Sequence, residues 1–281
     1  MGIIGLPNAG KSTLFKALTK KQVDIADYPF TTIEPNIGIV LVPDKRLQAI
    51  VKIISPEKVV QTYIKFIDIA GLVKDAHKGE GLGNQFLSHI RPCHALVEVV
   101  RIFNNPDPKK DIETIKTELL MKDRQTEDNV LSSKPKIYVF NIKNKDSSFS
   151  LNQKTPGLLM DLKLEEEASE LSLTEKEELG IESRLNLLIE NCYKKLNLIT
   201  FFTVKGNKET RAWTLKQDNS ITEAAAKVHT DFAEKFIKAE VLPWQKLIEA
   251  GSWAKAREQG KIKLAGKEYS VQDGDIIEFK I

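Results

Sequence analysis

Thiols are scarce. The chain has 2 cysteines in 281 residues, Cys93 and Cys192, and neither a Cys-x-x-Cys pair nor Cys/His ligand spacing surrounds them, which excludes a disulfide framework and a thiolate metal centre. Both are expected to be reduced packing residues. The 4 histidines, His77, His89, His94 and His229, also lack metal spacing and read as solvated or hydrogen-bonded side chains. Strong charge of one sign is missing as well: a net +3 permits a nucleic-acid partner but does not require one. No apolar run reaches membrane-spanning length, and Met1-Gly2-Ile3-Ile4-Gly5 carries no basic or apolar leader pattern, so a cytoplasmic protein with no membrane partner is expected. Repeats and low-complexity tracts are absent. The acidic run from Glu165 to Glu178 reads as a solvated helix face.

What is present is ordinary globular material, 41% apolar and 29% charged, in a chain long enough for two domains. Short apolar runs alternate with helix-length amphipathic stretches up to about residue 198, the rhythm of an α/β protein with a mostly parallel sheet and flanking helices. Strands are expected at Ile3-Ile4, Ile37–Leu41, Tyr63–Ile67, Ala95–Val100 and Lys136–Asn141. Helices are expected at Ser12–Thr19, Asp44–Ile54, Asn84–Ile90, Asp111–Arg124 and Glu182–Leu196, the last with Leu185, Leu188, Ile189, Cys192 and Leu196 on one stripe. Residues 199–281 read instead as a small α+β module. Its strands are Thr200–Val204, Arg211–Leu215, Lys261–Leu264, Tyr269–Val271 and Ile276–Lys280, with one main helix, Thr222–Val228, capped by Ser220 or Thr222. Gly266 would turn a hairpin, and Asp273-Gly274-Asp275 makes a tight turn before the last strand. The domain boundary is set near 198.

Gly5-Leu6-Pro7-Asn8-Ala9-Gly10-Lys11-Ser12 matches G-x-x-x-x-G-K-[ST] between a short strand and an amphipathic helix, the context this phosphate-binding motif requires. Glycines let backbone N–H groups turn inward and the helix N-terminus adds its positive end. On this pattern Asn8, Ala9, Gly10, Lys11, Ser12 and Thr13 contact the nucleotide, Lys11 reaching the β- and γ-phosphates and the Ser12 hydroxyl taking a Mg²⁺ position. Asp68-Ile69-Ala70-Gly71 follows the Tyr63–Ile67 strand, as an aspartate that holds Mg²⁺ through water should, and Gly71 is placed to offer its N–H to the γ-phosphate. Alone, that tetrapeptide is a weak signal. Between the two motifs, Tyr28–Pro35 is a proline-bounded loop whose Thr32 would complete the Mg²⁺ shell when triphosphate is bound.

The stretches GLPNAGKSTLFKALTK, YPFTTIEPNIG, DIAGLVKDAHKGEGLGNQFLSHIR, RAWTLK, AAAKVHTDF and YSVQDGDIIEFK span nearly the whole chain and resemble the YchF family, the Obg-like ATPases of eukaryotes. The resemblance implies a G domain with a helical coiled-coil insertion, a C-terminal ubiquitin-like TGS domain, and a ribosome-associated NTPase that prefers ATP over GTP. A monomer is expected. The chain also departs from the family pattern. The loop after the strand ending near Arg101, with its proposed catalytic histidine, has no counterpart where Asn104-Asn105 runs into Pro106. The arm expected between Arg124 and Lys134 shrinks to about ten residues, too few for two antiparallel helices. Either the protein is pared down or segments are absent from the chain as read.

Leu72 follows Asp68–Gly71 where Ras-like enzymes place a water-orienting glutamine. An apolar side chain cannot orient water, so another group must, and His77 is a candidate. Asn8 occupies the place of an asparagine that binds K⁺ in several potassium-activated GTPases; an ordinary turn asparagine is an equal reading. After the strand ending at Asn141, a GTPase would show Asn-Lys-x-Asp, whose carboxylate accepts from two guanine donors. Here Asn141-Ile142-Lys143-Asn144 ends on an amide, which suits adenine at least as well and is not the Asn-x-x-Glu of the resembled family; Asp146 is the alternative. Asn141, Ile142 and Asn144 are thus the candidate base contacts. Two functional classes stay open: a slow ATP (or GTP) hydrolase that responds to a large partner, and a nucleotide-gated binding module whose hydrolysis is incidental.

Overall fold

The computed structural model describes residues 1–20, 36–69, 89–105, 107–127, 129–143 and 157–281. The first part of the chain runs β1 (Gly2–Ile4), α1 (Lys11–Thr19), β2 (Ile37–Leu41), α2 (Lys45–Ile54), β3 (Lys58–Val60), β4 (Tyr63–Asp68) and β5 (Leu96–Arg101). It continues through α3 (Pro108–Thr126), β6 (Lys136–Asn141), β7 (Gly157–Met160), α4 (Leu162–Ala168), α5 (Leu173–Glu178) and α6 (Leu185–Lys195). The remainder is β8 (Leu198–Lys205), β9 (Glu209–Lys216), α7 (Ile221–Val228), α8 (Thr230–Glu234), β10 (Lys238–Pro243), α9 (Trp244–Ala250), α10 (Trp253–Glu258), β11 (Lys263–Ala265) and β12 (Asp275–Lys280). Two compact units form: Met1–Val40 with Ile64–Leu196, and Leu41–Tyr63 with Asn197–Ile281.

The first unit is built on a sheet ordered β2-β4-β1-β5-β6-β7. β4, β1, β5, β6 and β7 are parallel. β2 runs the other way, because the Asp68 N–H donates to Asn36 O and the Val42 N–H to Thr62 O, partners that descend as β2 ascends. β5 is buried along nearly its whole length, as a strand covered on both faces must be. Ile4, Ile69, Ile90, Leu96, Ile115, Leu119 and Leu131 form one core cluster there. Cys93 and Cys192 are buried and unpaired, and burial pushes the Cys192 thiol up to about 12. α3 starts on the Asp107 cap with Pro108 in its first turn. At its other end the buried Asp123 carboxylate accepts the Leu131 and Ser132 N–H groups at 2.9 and 2.8 Å and the Ser132 hydroxyl. Asp123 therefore ties the end of α3 to Leu131 and Ser132, just before β6.

In the acidic run, Glu165 is not solvated: it is 5% exposed and accepts from the Ser183 hydroxyl and the Arg184 N–H, which fixes the start of α6. On the central strand Glu98 is 0% exposed, with neither carboxyl oxygen hydrogen-bonded among the described residues and Lys136 Nζ 3.7 Å away. Of the helix expected at Asn84–Ile90, only His89 and Ile90 are described, and both are helical.

The second unit carries the sheet β11-β10-β12-β8-β9-β3. β8 and β9 form an antiparallel hairpin, and β12 returns parallel to β8, Ile276 opposite Phe202. α7 follows the hairpin and begins on a capping box between Ser220 and Glu223. Adjacent Phe201 and Phe202 face opposite sides. Phe201 packs with Leu215, Ile221, Ala225 and Ile277, while Phe202 packs with Leu47, Ile50, Leu242, Leu247 and Ile276. A module with one main helix is thus corrected to a sheet covered on both faces, and α2 supplies part of the second cover. The hairpin expected around Gly266 is also corrected: β11 pairs with β10, and Ser270 bridges to Ser220.

Candidate functional site

β1 is fully buried between β4 and β5 and delivers the chain into the phosphate loop. The loop keeps its course because two positions tolerate no side chain. A Cβ on Gly5 would stand 2.5 Å from Val99 O, and one on Gly10 2.5 Å from Asn141 Nδ2; Gly10 also has φ 105°, left-handed backbone that glycine alone adopts cheaply. Asn8, at φ 62°, takes the left-handed turn that asparagine tolerates. Gly10 is the N-cap of α1 and contributes no side-chain cap, so the first-turn N–H groups of α1 face the loop as an anion site. Ser12 is exposed and Thr13 half-buried.

Lys11 is 8% exposed and donates from Nζ to Leu6 O at 3.0 Å, folded over its own loop. Burial lowers its pKa, and the Asp68 charge opposes that shift. Asp68 closes β4 in register with Ile3 and is half-buried. A hydroxyl at Ser12 and a carboxylate at Asp68 are the hard oxygen donors that Mg²⁺ accepts, so the residues present fit that ion.

Asn141 ends β6 with 7% exposure. Its Nδ2 donates to Ala9 O at 2.9 Å and its Oδ1 accepts the Leu162 N–H at 3.3 Å. The expectation of a base contact here meets a side chain committed to the loop and to the start of α4. The Ile142 N–H is likewise taken, by Met160 O at 3.0 Å. The sequence reading missed the Met160–Leu162 junction altogether. Its signal was an apolar run closed by Asp161, which caps α4 by accepting from the Leu164 N–H. Leu162 lies close enough that a Cβ on Gly10 would be 3.1 Å from its Cδ1. Loop, β6 end and α4 thus meet at one place. Thr32, Gly71, Leu72, His77, Asn144 and Asp146 lie outside the described residues.

A family model described as "50S ribosome-binding GTPase" matches residues 1–145, and the YchF-GTPase C-terminal model, described as "Protein of unknown function (DUF933)", matches residues 198–281. The chain is 38% identical to the "Ribosome-binding ATPase YchF" of Bacillus subtilis, covering 99% of this chain and 98% of that protein. The protein of the same name from Mycoplasma genitalium is also 38% identical at the same coverages. The B. subtilis alignment runs over 359 positions against 281 residues here, so that relative carries internal segments with no counterpart in this chain. The solved Schizosaccharomyces pombe YchF GTPase superposes with a TM-score of 0.84 at 30% identity, over 99% of this chain and 97% of that one. A phosphate loop braced by Asn141, an aspartate closing the neighbouring strand and this likeness over nearly the full length agree: the chain belongs to the YchF family.

Proposed function

We propose that the chain binds ATP with Mg²⁺ in the phosphate loop, hydrolyses it slowly, and does so as a ribosome-associated cytoplasmic monomer. The observation that carries the reading is the loop's own build: Gly5 and Gly10 tolerate no side chain, Lys11 is buried and folded over Leu6 O at the start of α1, and β1, which feeds the loop, is bonded to β4, which ends on Asp68. The printed names of the relatives, ribosome-binding ATPases, supply the base and the partner. On triphosphate binding Lys11 exchanges Leu6 O for phosphate oxygens, and the loop N–H groups hold the β-phosphate. Ser12 and Asp68, with Thr32, would hold Mg²⁺, which supplies neutralising charge for phosphoryl transfer. The Gly71 N–H is assigned to the γ-phosphate. Leu72 cannot orient water, so His77 is assigned that task, and Asn8 is assigned to K⁺ in place of an arginine finger. Residues 199–281 are read as a TGS domain, a reading supported by a hairpin, a helix and a last strand returning parallel to the first, as in a ubiquitin-like order. Its lysines and partly buried aromatics suit docking on ribosomal RNA and protein.

The test is calorimetry of Mg–ATP and Mg–GTP with phosphate release measured with and without ribosomes, in K⁺ and in Na⁺. Expected are ATP affinity at least equal to that for GTP, turnover stimulated by ribosomes, and loss of both binding and turnover in Lys11→Ala. GTP preferred by more than about tenfold, roughly 1.4 kcal/mol, returns the chain to the GTPases; equal rates in K⁺ and Na⁺ remove the potassium role.

A further inference from the structure

Leu41–Tyr63 leave the unit that holds the phosphate loop and are built into the other one. One end of the excursion closes β2 and the other opens β4, neighbouring strands of the first unit's sheet. β4 opens at Tyr63 and closes on Asp68, and β2 pairs beside it, Asn36 O accepting the Asp68 N–H at 2.9 Å. On its other edge β4 is bonded to β1, which feeds the loop. β4 is thus bonded on both edges at Asp68 and runs unbroken from there back to Tyr63.

Within the second unit the excursion is fastened along its length. Leu47 and Ile50 of α2 are buried against Phe202, Leu242 and Ile276. Arg46 pairs with Asp44 and with Asp273 at 2.8 Å each, and its guanidinium lies over the Phe202 ring, 5.7 Å from the centroid. The Glu57 N–H donates to Asn207 O at 2.8 Å, and β3 pairs parallel to β9. A Cβ on Gly274 would stand 2.6 Å from Trp244 Cδ1 and 3.5 Å from Arg46 Nη1, so indole and guanidinium flank the same turn.

We infer that Leu41–Tyr63 is a strap through which triphosphate at the loop alters the conformation of the second unit. The inference rests on the assignment of Asp68 to the Mg–triphosphate site. Packed cores in general yield by discrete rearrangement rather than continuously, and the strap gives the cluster around Phe202 a covalent input from β4.

The chain carries its own reporter. Its 3 tryptophans, Trp213, Trp244 and Trp253, all belong to the second unit, so indole emission reads that unit. The experiment titrates the full chain with a non-hydrolysable Mg–ATP analogue and with Mg–ADP, following heat and tryptophan emission together. Expected is an emission shift with the analogue, at the same midpoint as the heat, no shift with Mg–ADP, and loss of the shift in Arg46→Met while heat is retained. If Arg46→Met does not fold, Asp273→Asn, which keeps an oxygen for the Thr200 N–H now bonded to Asp273 at 2.9 Å, is read the same way. Heat without any emission shift overturns the strap and leaves the nucleotide site standing. The same shift with Mg–ADP, or a shift that survives in the folded variant, also overturns it. Absence of heat with either nucleotide overturns the site assignment, and the strap falls with it.

Discussion

Asn141→Ala separates support of the phosphate loop from contact with the base. The side chain is 7% exposed, and its amide joins Ala9 O at 2.9 Å to the Leu162 N–H at 3.3 Å. Removing it leaves a carbonyl and an N–H without these partners in a buried place, at a cost of about 2–4 kcal/mol for the pair. If half of that cost appears in binding, about 1–2 kcal/mol, affinity falls roughly five- to thirtyfold. Because the loss passes through the loop that grips phosphate, it should be the same for Mg–ATP, Mg–GTP and Mg–tripolyphosphate, which has no base. Calorimetry with the three ligands decides the matter. A changed ATP-to-GTP ratio with unchanged tripolyphosphate affinity would refute the reasoning and return Asn141 to the base.

Ser12→Ala should weaken triphosphate binding through the metal, so that raising Mg²⁺ restores affinity; a defect of equal size at all Mg²⁺ concentrations refutes the role. Glu98, pushed up from 4.5 to about 7 by burial against the opposing charge of Lys136, stays neutral in the folded chain at pH values where it already ionises unfolded. Stability should therefore fall as pH rises from about 4.5 through 7, by up to ~3 kcal/mol, and urea melts at pH 5 and 8 should show a smaller fall for Glu98→Gln; equal falls count against it. A chain ending at Leu196 uncovers Leu47 and Ile50, now 2% and 0% exposed, and should aggregate in size-exclusion runs unless both are made polar. Asp123→Ala strips acceptors from two N–H groups and a hydroxyl and should cost roughly 2–4 kcal/mol in urea unfolding, with Asp123→Asn milder; a change under about 0.5 kcal/mol, the level of an ordinary surface substitution, would show that the turn stands without it.

The phosphate loop was legible because its chemistry is contiguous: one octapeptide between one strand and one helix specifies it. Asn141 was legible as a candidate site residue, but not its hold on the loop, since its partners Ala9 and Leu162 come from distant points of the chain and no local pattern pairs them. The stripe of Leu47, Ile50, Val51 and Ile54 announces a helix but not which sheet it covers. That destination depends on Phe202, Leu242 and Ile276, brought together only by the fold. β10 escaped notice because Lys238, Glu240 and a terminal Pro243 interrupt it, though its buried positions are Ala239, Val241 and Leu242. Glu165 looked like one acid among many; what sets it apart is Ser183 and the Arg184 N–H arriving from α6.

The return from α3 to β6, where the family resemblance leads one to expect a two-helix arm, shows why an arm is dispensable to the build of the phosphate loop. A parallel pair needs a crossover, and α3 alone supplies it: its 19 residues rise roughly 28 Å at 1.5 Å each, enough to run back along β5. The crossover leaves β5 at its C-terminal end, beside the phosphate loop, and re-enters at Lys136, the opposite end of the sheet. An arm rooted after Arg124 therefore stands at the edge away from Gly10, Lys11 and Asp68. The pairing from Leu96 opposite Lys136 to Arg101 opposite Asn141 sets where Asn141 meets Ala9, and none of those pairs involves the turn. With Asp123 accepting the Leu131 and Ser132 N–H groups, closing the chain there removes a surface without touching any residue proposed to hold the nucleotide.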